Sequence, residues 1–237
     1  MTIARRRFIE LASGGIGGAL LAACDSQGPG SAQGVLRFAE RRNESVERLL
    51  LRHTSMDSAR RGATAAGDAF PSYFISERTP VWDAAARGTW TLEVNGAVKT
   101  PVRLTLDQLM KLPGITQRVN HYCVEGWTAV AVWSGVRVSE LAKLVQPTGD
   151  AGYVDFVSFD EDYHESWDLE SAMHPQTLIA YGMDNHPLGP EHGAPARLHS
   201  PVKLGYKNTK YLTRVTFMPA RNGGYWTDRG YEWYGGT

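Results

Sequence analysis

Only two cysteines, Cys24 and Cys123, occur in 237 residues, and this scarcity excludes several chemistries. Two thiols cannot build a four-sulfur zinc site or hold an iron–sulfur cluster, and no C-x-x-C-H haem attachment run is present. Net charge is also lacking. Lys+Arg and Asp+Glu balance at 25 each, and no basic stretch is interleaved with aromatics, so nucleic acid is not an expected partner. No apolar run reaches the ~20 residues that a mature membrane-spanning helix needs. Internal repeats and low-complexity blocks are absent too. What remains is an ordinary globular composition, 42% hydrophobic and 21% charged, unusually rich in aromatics with seven Trp and ten Tyr.

The first residues read as an address. Arg5, Arg6 and Arg7 precede a Gly/Ala/Leu-rich stretch, Leu11–Ala23, with the charge layout of an export signal. The run Arg5-Arg6-Arg7-Phe8-Ile9 resembles a twin-arginine signal, which exports proteins already folded. Leu21-Ala22-Ala23-Cys24 resembles a bacterial lipobox, whose cysteine is lipidated and becomes the mature N-terminus. Asp25 after it is a signal that keeps some lipoproteins on the inner membrane. The alternative is cleavage by a non-lipid peptidase, with Cys24 discarded. Residues 1–24 are therefore expected to be a signal, and the protein to be periplasmic and held at the inner membrane by lipid at Cys24.

Residues 25–69 are expected to be a Gly/Ser-rich tether followed by one or two amphipathic helical stretches over 36–61, with a loop at 62–69. The main domain is expected over 70–220, and 221–237 form an aromatic tail. "TWTLEVNG" alternates apolar and polar residues into Asn95-Gly96, a hairpin signal. In "TLDQLMKLP", Thr105 and Gln108 have capping-box spacing before a short helix that stops at Pro113. "GYVDFVSFD", "ARLHSPVKL" and "YLTRVTFMP" read as strands; "VSELAKLV" and "SAMHPQTLIAY" read as helical. The fold class expected is α+β, mixed and strand-rich.

If Cys24 is lipidated or removed, Cys123 has no disulfide partner, and a free thiol is a liability in an oxidising compartment. It lies in "HYCVEGW". In an extended segment His121 and Cys123 share one face, with Asn120 and Tyr122 on the other, and a thiol beside an imidazole deprotonates readily. Three uses compete: a buried core residue, a nucleophile with a histidine base, or a soft ligand to a metal whose other ligands come from a cofactor. A second stretch, "HGAPARLHSPVKLGYKNTKYL", interleaves Arg197, Lys203, Lys207 and Lys210 with Gly193, Gly205, Asn208 and Thr209. That is either a phosphate cradle or a solvated basic strand pair.

Together the two motifs resemble the molybdopterin-binding domain of the sulfite oxidase superfamily, especially the bacterial periplasmic branch that includes methionine sulfoxide reductase catalytic subunits. The likeness covers about residues 70–218. It implies a sulfite-oxidase-type fold and a molybdenum-molybdopterin cofactor, with Cys123 as the sole protein ligand to the metal. It further implies that Arg197 contacts the cofactor, that Asn208, Thr209 and Lys210 hold the pterin phosphate, and that His192 donates a hydrogen bond. The resemblance also implies that Tyr73, Phe74 and Ser76 contact the pterin and that His121 and Glu125 flank the metal. The activity implied is oxygen-atom transfer on a small sulfite- or sulfoxide-like substrate, with electrons exchanged through a membrane haem protein or a cytochrome c. The rival from another class is a non-catalytic solute-binding lipoprotein with an aromatic pocket; a thiol hydrolase using Cys123 and His121 is a third reading. The tail could line the substrate entrance or dock a partner, and by default is expected simply to cover the domain's edge.

Overall fold

A computed structural model describes residues 33–51, 56–59, 70–160 and 162–237. The proposed signal with Arg5–Arg7 and Cys24, most of the tether and the loop at 62–69 lie outside the described residues. The chain divides into a unit ending at Leu49 and a second unit, Leu50–Thr237. In the first, helix α1 (Gln33–Leu50) carries an i,i+4 pair between Glu44 and Arg48 at 2.9 Å and a hydrogen bond from Asn43 to Glu47. Among the described residues no helix is long and apolar enough to cross a membrane.

The second unit is built on two sheets. Before the first strand lies a one-turn helix, α2 (Ala84–Arg87), capped by Asp83. β1 (Thr91–Gly96) and β2 (Val102–Thr105) pair antiparallel, as the alternation in "TWTLEV" predicts, but the loop between them spans Ala97–Pro101. Gly96 serves a different purpose from a two-residue turn. A Cβ there would stand 2.2 Å from the carbonyl oxygen of Phe217, so only glycine lets the neighbouring strand approach. Helix α3 (Leu106–Met110) begins with the capping box expected of Thr105 and Gln108, both hydrogen bonds being present.

The long β3 (Gly114–Tyr122) and β4 (Thr128–Arg137) form a hairpin, followed by α4 (Val138–Val145). Then come β5 (Tyr153–Ser158), β6 (His164–Asp168), α5 (Leu169–Ala172), β7 (Leu178–Met183), β8 (His186–Pro187), β9 (Arg197–His199) and β10 (Leu212–Met218). The first sheet runs β2-β1-β10-β5-β6, with β10 parallel to β1 and antiparallel to β5. The second runs β3-β4-β7-β8, and β9 also pairs with β7. "SAMHPQTLIAY" is helical only in its first residues: Leu178–Met183 is a buried strand pairing with both β4 and β9.

Leu92, Val94, Phe156, Val215 and Phe217 of the first sheet pack with Leu109 of α3 and Leu141 and Val145 of α4. Val119, Ala131, Trp133 and Ala180 of the second sheet form another core with Phe70 and Leu188. Burial of this apolar surface, at about 25 cal/mol per Å², is what holds the sheets in place.

Candidate functional site

The turn joining β3 to β4 carries Cys123 at its start. The Cys123 N–H donates to the Trp127 carbonyl at 3.0 Å, and the Gly126 N–H to the Cys123 carbonyl at 3.0 Å. Glu125 Oε2 accepts from Trp127 Nε1 at 3.0 Å and from the Tyr73 hydroxyl at 3.2 Å, and lies 3.9 Å from Cys123 Sγ. Tyr73 stacks on Trp127 with centroids 6.3 Å apart. Strand alternation holds as read: Asn120 and Tyr122 both bind the Asp57 carboxylate, while His121 and Cys123 both line a cavity of about 280 Å³.

That cavity is also bounded by Tyr73, Phe74 and Glu125, and by Arg197, Asn208 and Lys210. The two sequence motifs, about 70 residues apart in the chain, therefore meet in space.

His121 and Cys123 do not activate one another. His121 is 6% exposed, and burial, helped by the positive charges of Arg197 and Lys210, pushes its imidazole down to about 3. It is neutral at physiological pH. Burial also pushes the Cys123 thiol up, and the Glu125 carboxylate adds to the shift against the backbone N–H of that residue. The expectation that the imidazole makes this thiol easy to deprotonate is thereby corrected, because a buried neutral ring has no charge with which to stabilise a thiolate. Among the described residues no group of three or more His, Cys, Asp or Glu is placed to hold a metal ion. A metal at Cys123 would need its remaining ligands from an organic chelate.

The cations are more informative. Arg197 is 3% exposed and donates only to carbonyls, those of Leu198, His192 and Asn208 at 3.1–3.3 Å. Lys210 Nζ donates to the Glu191 carbonyl at 2.8 Å. Among the described residues neither forms an ion pair, whereas Lys203 and Lys207 do. Burial draws Arg197 down to about 10, and burial together with Arg197 draws Lys210 down to about 7. Arg197 is buried and Lys210 half-buried in the wall of one cavity; neither has a carboxylate within ion-pair distance, although the buried Asp160 carboxylate lines the same cavity and acts on Lys210, so an added anion would find uncompensated positive charge there. Partnerless buried polar atoms lie there too. His121 Nδ1 and the Tyr211 hydroxyl belong to the cavity's walls. Thr209 Oγ1 and both ring nitrogens of His199 are partnerless as well; Thr209 is the chain neighbour of the lining residues Asn208 and Lys210, and the His199 ring stacks on that of His121 at 5.5 Å and on Trp133 at 4.0 Å. A phosphorylated heterocycle that offers hydrogen bonds and negative charge fits these walls.

Other expected contacts are placed differently. Lys203 and Lys207 do not reach the cavity. Lys203 Nζ pairs with Asp168 at 3.0 Å and Lys207 Nζ with Glu165 at 2.6 Å, both fully buried. A basic run shows how many cations there are but not where the carboxylates of β6 stand. The Ser76 hydroxyl is bound to Asp160, and Ile75 N–H to the same carboxylate at 3.1 Å, so Ser76 is not in the cavity wall and instead ties its loop to a carboxylate that is. His192 packs edge-on against Phe70 and gives its carbonyl to Arg197. The Asn208 side chain is spent on Ser200 N–H and the carbonyls of Lys203 and Leu204.

Four further wall residues, Tyr163, Tyr206, Trp226 and Tyr231, were not among the expected contacts. The tail thus does more than cover an edge: Trp226 and Tyr231 reach the cavity. The aromatic density of "GGYWTDRGYEWYGGT" was the signal for the alternative in which the tail lines the entrance.

Comparison with known proteins agrees with this geometry. The family described as Oxidoreductase molybdopterin binding domain matches residues 78–226. A protein of Azospira oryzae named putative protein-methionine-sulfoxide reductase subunit YedZ1 is 41% identical over 168 residues, covering 71% of this chain and 63% of that protein. The protein-methionine-sulfoxide reductase catalytic subunit MsrP of Ralstonia nicotianae is 35% identical over 144 residues, covering 54% of this chain and 44% of that protein. The chain thus spans between 44% and 63% of the length of these curated relatives. The crystal structure of the sulfane dehydrogenase SoxCD from Paracoccus pantotrophus superposes with a TM-score of 0.53 at 21% identity, over 55% of this chain and 38% of that one, and shares the fold.

Proposed function

Since the chain belongs to the family of oxidoreductase molybdopterin binding domains, we propose that it holds a molybdenum-molybdopterin cofactor and transfers oxygen atoms to or from a small sulfur compound. The observation that carries this is the meeting, in one cavity, of the unpaired Cys123 thiol with the buried Arg197 and the half-buried Lys210, neither of them in an ion pair among the described residues. When bound, the cofactor supplies the two-electron exchange of oxygen with sulfur. The rest belongs to this chain. Arg197 and Lys210 bind the phosphate and gain a counter-charge. The neutral His121 forms a wall that adds no charge. Glu125, fixed by Trp127 and Tyr73, holds the turn in the shape that presents Cys123 Sγ. A thiol kept protonated by burial gives up its proton on ligation to a metal.

The substrate fits a neutral sulfoxide better than the sulfite anion. The Glu125 carboxylate and the rings of Tyr73 and Trp127 surround Cys123, and a carboxylate repels an anion. The relatives named protein-methionine-sulfoxide reductases support the same preference. They are named as subunits, which supports electron exchange with a separate partner, a membrane haem protein or a cytochrome c. Export in the folded state by the Arg5–Arg7 signal, and a lipid on Cys24 that keeps the enzyme at the inner membrane, complete the reading; radiolabelled palmitate incorporated in wild type and absent in Cys24→Ala tests the anchor.

Elemental analysis and pterin fluorescence of protein matured in its natural host test the core of the proposal. About one molybdenum and one pterin phosphate per chain are expected. Absence of both overturns the proposal and leaves the solute-binding reading.

A further inference from the structure

The aromatic wall has no part in the function so far assigned, and two separate stretches build it. Tyr206 comes from the turn Gly205–Lys207, and Trp226 and Tyr231 from the C-terminal segment. Tyr231 meets Tyr206 edge-on at 5.3 Å and Trp226 at 5.0 Å between centroids. The wall starts close to the thiol. The backbone at 205 presses on the ring of His121, two residues before Cys123, so closely that a Cβ there would stand 2.8 Å from Nε2.

The wall presents faces rather than donors. The Tyr206 hydroxyl is spent on the Glu232 carbonyl and that of Tyr163 on the Tyr206 carbonyl. Such faces suit soft, polarisable groups, because a thioether or S-methyl carbon against an aromatic ring gains dispersion and S–π contact that an oxyanion does not.

One carboxylate clamps both halves. Glu165, fully buried on β6, accepts from Lys207 Nζ at 2.6 Å, from the Trp226 N–H at 2.9 Å and from the Thr227 hydroxyl at 3.3 Å. It thus binds the residue after Tyr206 and Trp226 itself, and fixes the spacing between the stretches that carry the rings.

We propose that the Tyr206–Tyr231–Trp226 wall is the specificity determinant that receives the organic flank of the substrate, an S-methyl or thioether carbon beside the sulfoxide sulfur, with Glu165 as its positioning residue. The inference rests on the oxygen-transfer reading above, and its test separates the two.

Two measurements are made on the purified holoprotein. The first is NMR saturation transfer from aromatic protons to methionine sulfone, an unreactive analogue, which requires no turnover. The second is steady-state reduction of methionine sulfoxide with an artificial redox dye. Expected are strongest transfer to the S-methyl protons, and a rise in KM of about five- to tenfold in Tyr231→Leu and in Trp226→Leu that exceeds any fall in kcat, the size of a lost aromatic contact near 1 kcal/mol. Glu165→Gln should raise KM with molybdenum content kept, which a merely structural role would not do. Should that variant fail to fold, Tyr231→Leu still decides, since Tyr231 is 39% exposed at the rim. A KM within twofold of wild type in Tyr231→Leu, or molybdenum-loaded protein with no transfer to the S-methyl, overturns the wall and leaves the reaction standing. Metal-free, inactive protein that still shows the transfer overturns the reaction and supports the wall.

Discussion

Lys203 reaches Asp168 across 3.0 Å with both side chains buried, and the same ammonium donates to the Tyr234 carbonyl at 2.7 Å. Asp168 meanwhile caps α5 through the Ser171 N–H at 2.8 Å. The pair thus ties β6 and α5 to the C-terminal segment. Removing one partner leaves an uncompensated buried charge, so Lys203→Met should cost about 3–5 kcal/mol in denaturant unfolding. Lys203→Met with Asp168→Leu should cost less than the two single changes summed.

The same pair shapes the response to pH. Although burial works upward on Asp168, the Lys203 ammonium and the Ser171 N–H hold its carboxyl below the ordinary 3.8. Its contribution is therefore whole above that value and is lost as pH falls through it toward the folded pKa. Lys203 behaves oppositely: burial pushes it down to about 8, against an ordinary 10.5. Between those values the unfolded chain binds more protons, so stability should rise with pH there. Unfolding curves of Lys203→Met should lack that alkaline rise.

Cys123→Ser should keep its pterin and lose turnover. X-ray absorption of the variant should show one fewer sulfur neighbour around the metal, and full activity would refute the assignment.

Lys210, drawn down to about 7 by burial and by Arg197, gives the cavity an anion affinity that depends on pH. Its ammonium is present below that value and absent above it. Sulfate, which does not titrate in this range, should bind cofactor-free protein more weakly as pH rises through 7. Calorimetry on Lys210→Gln should show a flatter profile.

Gly205→Ala places a methyl group 2.8 Å from His121 Nε2. The ring must move or the turn must open, at about 1–3 kcal/mol. Reduced pterin retention in the purified variant, with a modest fall in Tm, is the expected result.

The sequence made local features legible and left distant ones obscure. The alternation in Thr91–Val94 and the capping box at Thr105 report on neighbours a few residues away, and both stand in the structure. Leu178–Met183 lies between β4 and β9 and is buried along nearly all its length, so it shows a continuous apolar run instead of alternation and reads equally well as helix. Lys203 and Lys207 look like Arg197 and Lys210 in a string of letters. What separates them is whether β6 brings a carboxylate to each. Trp226 gains its place through β6, about sixty residues earlier, by its own bond to Glu165 and by the bonds of Gly223 and Tyr225 to Ser166 and His164, and Tyr231 follows through its bond to the Trp226 carbonyl.

β10 stands between β1 and β5 in the middle of the first sheet, not at its edge. A ribosome-bound chain therefore cannot finish that sheet until Leu212–Met218 has emerged, the strand that follows directly on the phosphate-binding Lys210. Cofactor capture then follows completion of translation. A nascent chain cut short before β10 would leave the facing flanks of β1 and β5 unpaired, two open strand edges of the kind that favour aggregation.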